Sequence, residues 1–216
     1  ISIIRNDPKE THSIVMTAHD YTEGHIDIEG GQSVTIGSRK GDFAVQGFSK
    51  GDGFSTIDIN KTSKGTVTIN GRTTAESARV NIHYAGEGSL QNGDVLAAKS
   101  HPGSEGWSSA GEDATKPGTK TGVMNLVFSG AGAGMKGKMT AEEGSSITAD
   151  FSGDNAFFNG DITAQKGERF TEGETSSVTV NASGRNVVLT GSVSVKDGGK
   201  FSADISGDKA ALKGDV

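Results

Sequence analysis

The stretch ITADFSGDNAFFNGDI at residues 147–162 returns at 201–216 as FSADISGDKAALKGDV, with eight of sixteen positions identical. Two further copies, MNLVFSGAGAGMKGKM at 124–139 and VTVNASGRNVVLTGSV at 178–193, keep the Ser-Gly pair and the glycine seven residues later. With looser matches the phrase starts at 34, 57, 80, 124, 147, 178 and 201, so the steps are 23, 23, 44, 23, 31 and 23. The 31 is the unit plus eight, and the 44 is the unit plus 21 or two irregular turns. A fixed period between about 20 and 50 residues marks a stacked repeat, in which each unit buries its apolar face only against its neighbours.

Within the phrase, apolar residues stand two apart at the first and third positions, as in Ile147/Ala149 and Val178/Val180, with polar Thr148 and Thr179 between them. That spacing is one face of a strand. Ser-Gly follows at positions six and seven, where glycine supplies the backbone angles of a corner. A second short strand carries Met135, Phe158, Leu189 and Leu212 at position twelve. After another glycine, a third carries Met139, Ile162, Val193 and Val216 at position sixteen. Three short strands and their glycine corners per 23 residues predict an all-β chain: a single-stranded, right-handed parallel β-helix of at least seven coils. Its two rows at positions twelve and sixteen are expected to point inward. Residues 34–216 form the helix in this reading. Residues 1–33 form an irregular segment and first coil, with Gly24, Ile26 and Ile28 in phase with later coils.

Composition agrees. There are 29 Val plus Ile against 5 Leu, with 33 Gly and 3 Pro, a balance that favours strands and turns over helices. The net charge of −6 has no basic stripe, which argues against nucleic-acid binding through phosphate neutralisation. No run approaches the ~18 apolar residues of a membrane-crossing helix. There is no cysteine, hence no disulfide framework. With no starting Met, no leader and no polar cap after Val216, the sequence reads as a piece of a longer array.

Two insertions break the rhythm, at about 99–121 and 166–174. Insertions in solenoids become loops, often on a binding face. The longer holds two of the three prolines and the only tryptophan, so Trp107, with His101, is the candidate for ligand contact. The string from Gly132 through Gly134 to Gly137 matches G-x-G-x-x-G, but no helical pattern follows it, as a dinucleotide site requires. His12, His19 and His25 near Asp20, Glu23 and Asp27 match no strong metal signature, so no metal or other cofactor is assigned. Lys-Gly-Asp at 40–42, 50–52 and 213–215 is uninformative in so Gly-rich a repeat.

Carboxylates recur at fixed positions, among them Asp150/Asp204, Asp154/Asp208 and Asp161/Asp215. A glycosidase needs an acid and a base converging on one face. Here the coil between each pair lacks the acid, and Arg185 stands between Asp154 and Asp208. Like charges directly opposite destabilise a sheet, so Asp154–Arg185–Asp208 reads as a structural charge ladder and no catalytic residue is assigned.

The phrases Asn159-Gly160-Asp161-Ile162-Thr163-Ala164, Leu189-Thr190-Gly191-Ser192-Val193-Ser194-Val195 and Lys213-Gly214-Asp215-Val216 resemble the corners of bacterial autotransporter passenger domains, over residues ~34–216. The resemblance implies secretion to a bacterial cell surface, anchored by a C-terminal β-barrel beyond this sequence. It also implies a non-catalytic adhesive or stalk role in virulence. Partners would be a host-cell protein or glycan, or another copy through self-association between cells. Absence of cysteine suits export through a barrel pore. The alternative is a polysaccharide lyase or hydrolase on the same scaffold.

Overall fold

Three apolar, alternating stretches per repeat give three sheets, each with one face turned inward. The structure, a computed structural model of the 216-residue chain, describes strands between residues 15 and 70, then residues 72–76, 78–99, 121–167 and 172–215. The first sheet contains β1 (Val15–His19), β4 (Phe43–Phe48), β7 (Thr73–Glu76), β10 (Val95–Ala98), β13 (Met139–Glu142), β16 (Ile162–Gln165) and β19 (Val193–Val195). The second contains β2 (Glu23–Ile28), β5 (Ser55–Lys61), β8 (Ala78–Tyr84), β11 (Val123–Phe128), β14 (Ser146–Phe151), β17 (Ser176–Ala182) and β20 (Gly199–Ile205). The third contains β3 (Val34–Ile36), β6 (Val67–Asn70), β9 (Leu90–Asn92), β12 (Gly134–Lys136), β15 (Phe157–Asn159), β18 (Val188–Thr190) and β21 (Ala211–Lys213). Each strand pairs in parallel with the one three places along, and the described residues contain no helix. The fold is all-β and compatible with a parallel β-helix. Three consecutive strands, one per sheet, make a tier.

Register puts equivalent residues above one another. Val80, Met124, Ile147 and Val178 form a fully buried row, with Ile82, Leu126, Ala149 and Val180 beside it. The position-twelve row is inward as expected at Met135, Phe158 and Leu189, with Leu212 partly buried against it. Met139, Ile162 and Val193 form the sixteenth-position row, while Val216 lies outside the described residues. Each such side chain contributes about 1.5–3 kcal/mol on burial.

A further inward row escaped the sequence reading. Tyr84, Phe128 and Phe151 stack at centroid spacings of 4.5 and 4.7 Å with planes within 5° of parallel. Parallel strands at ~4.8 Å impose that spacing on rings in one row. Within the tier of Tyr84, its Oη donates to Gln91 Oε1 at 2.7 Å, and Thr73 Oγ1 donates to the same oxygen at 3.3 Å. Burial pushes the Tyr84 phenol well above its ordinary range.

Three expectations need correction or resolution. Val34 is not the start of a phrase: it lies in β3 and pairs with Val67 of the third sheet. Gly24 faces Ile57 instead, so that step is 57 − 24 = 33 and the apparent 23 is a coincidence of composition. The step of 44 is one unit with an insertion, since Val80 pairs directly with Met124. Finally, the glycine of Ser-Gly is required by close stacking. A β-carbon on Gly153 or Gly184 would overlap the carbonyl oxygen of the glycine one tier earlier. The left-handed backbone falls two residues later, where Gly132, Asn155, Asn186 and Lys209 share φ between 56 and 66°. Asn is the non-glycine residue that best tolerates that conformation.

Candidate functional site

Both sequence-predicted insertions leave the stack at the corner joining the first sheet to the second. Between β13 and β14 the connection is only Glu143, Gly144 and Ser145. One tier earlier, between β10 and β11, the long insertion leaves; one tier later, between β16 and β17, the short one does. Both insertions therefore flank the same tight turn. The sheets do not yield to them, and β11 pairs without a break to β8 and β14.

That turn caps both stems of the long insertion. A chain leaving its tier takes its N–H groups away from the strand ladder, and each buried one needs another acceptor. Glu143 Oε2 accepts the N–H of Lys99 at 3.1 Å as the chain departs. Ser145 Oγ accepts the N–H of Gly122 at 2.9 Å as it returns. One tier on, Ser176 Oγ accepts the N–H of Gly144 at 2.9 Å.

The Lys99 ammonium then reaches across two tiers and donates to both Glu174 carboxylate oxygens, at 2.7 and 2.9 Å. Lys99 is 6% exposed and Glu143 1%. Burying charges costs as much as their attraction returns, so such a group fixes placement more than it adds stability. Backbone conformation tells the same story. Glu143 has φ 58°, a left-handed position that costs a non-glycine residue about 1–2 kcal/mol. A β-carbon on Gly167 would come within 2.6 Å of Glu143 Cγ, so the chain one tier on packs closely against the Glu143 side chain.

Beside the platform of Lys99, Glu143 and Glu174 lies an open groove of about 850 Å³, lined by Glu142, Gln165, Lys166, Lys196 and Asp197 among others. Two of its lining residues are joined, Gln165 Nε2 donating to Glu142 Oε2 at 3.0 Å. Ligand pockets for apolar molecules are enclosed and mostly hydrophobic. This groove is open and polar, which suits a hydrated, hydrogen-bonding ligand.

Trp107 and His101 lie outside the described residues, as do the side chains of His12, His19 and His25. Arg185 Nη2 pairs with Asp154 Oδ2 at 2.7 Å, but no ion pair joins it to Asp208 among the described residues. The aspartates have a second task. Asp154 Oδ1 accepts the Arg185 N–H, Asp161 Oδ1 the Ser192 N–H, and Asp94 Oδ1 the Lys138 N–H. Each of these three carboxylates thus holds down the corner of the next tier. Gly134 of the G-x-G-x-x-G string lies in β12, with no room for a β-carbon beneath the Phe157 ring, and no helix follows. Among the described residues no three His, Asp or Glu are grouped to hold a metal.

Sequence reasoning marked both insertions but missed Lys99, Glu143 and Glu174, which lie 44 and 75 positions apart in the bonds they make. The available signal was a charged residue at the first position of one insertion and the last of the other. No family model, curated protein or solved structure matches the chain.

Proposed function

We propose that the chain is a non-catalytic cell-surface module, an adhesive or stalk segment of an autotransporter passenger. In this reading it is a right-handed parallel β-helix of about 23 residues per coil and at least seven coils, secreted and anchored through a β-barrel elsewhere in the protein. The insertion-bearing corner, with Trp107 and His101 in the longer insertion, meets a host-cell protein or glycan, or another copy on a neighbouring cell.

The observation that carries the reading is the fixed corner itself. The Lys99–Glu174 ion pair, with Lys99 nearly buried, joins the stems of the two insertions. Functional residues are concentrated on loops held by a rigid scaffold. Asp94, Asp154 and Asp161, committed to backbone N–H groups of the next tier, favour this reading over a polysaccharide lyase or hydrolase.

The test displays the chain on beads and measures attachment to cultured epithelial cells and to arrayed glycans. Removing residues 101–119, or replacing Trp107 by Ala, is expected to lower attachment severalfold. Undiminished attachment by both variants rejects this placement of function. Release of reducing ends or unsaturated product from polyuronides would favour the enzyme instead.

A further inference from the structure

We infer that Lys99 couples the two insertions, so that their stems respond as one unit. Lys99 is the first residue of the long insertion and Glu174 the last of the short one, and the ammonium bridges them at 2.7 and 2.9 Å. The tier between them is locked into the same assembly, because Glu143 accepts the Lys99 N–H and Ser145 accepts the Gly122 N–H. On the far side a β-carbon at Gly144 would come within 2.9 Å of Glu174 Cβ, so the turn and the short stem are also in close contact. Side chains joined in one buried network show energies that do not add, whereas separate loops are independent.

Coupling between two places is reciprocal. Displacing Glu174 must loosen the long stem as much as displacing Lys99 loosens the short one. Lys99 is thus a positioning residue: it sets where both insertions leave the stack, whatever each of them contacts. A load taken by one insertion passes to the other through this bridge.

Hydrogen exchange read by mass spectrometry on the whole 216-residue chain tests this without any ligand, and so stands apart from the adhesion assay. Glu174→Gln should speed exchange at Thr121 and Gly122 on the order of tenfold, and Lys99→Met should do the same at Glu174 and Thr175. The double variant should be no faster than either single one, and Lys99→Arg should restore slow exchange. Amides of β15 and β18 should be unchanged in all four. Should Lys99→Met fail to fold, Glu174→Gln decides alone, since its side chain is 28% exposed and its replacement keeps the same shape. Faster exchange confined to the stem that carries the substitution, or rates that simply add in the double variant, would overturn the coupling.

Discussion

The carbonyl oxygen of Gly130 occupies the space that a β-carbon on Gly153 would need, and Gly153 stands in the same relation to Gly184. The Ser-Gly corner is therefore a column of backbone packed on backbone, where nothing flexible can move aside. Gly153→Ala is expected to destabilise the chain by about 1–3 kcal/mol or more, as overpacking does. Gly132→Asn is the control. A β-carbon at Gly132 meets nothing within 4 Å, and its φ of 66° is close to the 58° of Asn155. Its cost should stay below about 1 kcal/mol. Urea denaturation of the two variants checks the contrast, and equal losses would mean that backbone angle, not space, selects glycine at position seven.

The part of this fold that could be read from sequence is the part that stacking repeats. Ile147 above Met124 and Leu189 above Phe158 are visible because each row needs the same kind of residue every tier. The aromatic row was hidden because it ends at Ala182, one tier above Phe151, so no constant residue type marks it. Val34 misled because Val-x-Ile suits any inward-facing strand, and nothing in three residues says which sheet they join. The platform was hidden for the opposite reason. Lys99, Glu143 and Glu174 occur once each, and a pattern search sees only what recurs.

Leu189 and Arg185 belong to one tier but should behave oppositely. Leu189 is 1% exposed between Phe158 and Leu212. Leu189→Ala should cost about 2–5 kcal/mol. Leu189→Asp should cost more, by leaving a charge with no partner in the core. The Arg185 and Asp154 side chains are 61% and 46% exposed, so water screens their pairing. Arg185→Ala should change stability by no more than about 1 kcal/mol. A large loss at Arg185 would mean that the charge ladder is a main source of stability.

Tyr84 links stability to alkaline pH. Burial raises its pKa above the ordinary 10.0, so the folded chain keeps the phenolic proton at pH values where the unfolded chain has lost it. The resulting stability is complete below about pH 10 and is lost as pH rises from there towards the folded value. Tyr84→Phe should flatten this alkaline slope relative to the unchanged chain. At neutral pH it should cost only about 0.5–1.5 kcal/mol, because Thr73 Oγ1 still donates to the Gln91 oxygen that Tyr84 leaves. Thermal melts at pH 7 to 11 read both effects, and identical slopes for the two proteins would show that the phenol titrates freely.

Removing residues 101–119 should leave the stack intact. The stems already touch: a β-carbon on Gly122 would lie 2.8 Å from the Ala98 backbone nitrogen and oxygen. The neighbouring tier shows how little chain the corner needs. By register Glu143 stands level with Lys99 and Ser145 with Gly122, and Gly144 alone separates them. The deletion leaves Ser100, Lys120 and Thr121 between Lys99 and Gly122, more than that minimum. Glu143 and Ser145 keep both N–H groups to cap, and Lys99 keeps Glu174. Closure entropy changes only logarithmically with loop length, so stability should shift by no more than about 1 kcal/mol. A loss several times larger in urea would show that the insertion packs as part of the core, and that its role at this corner is to hold the stack together.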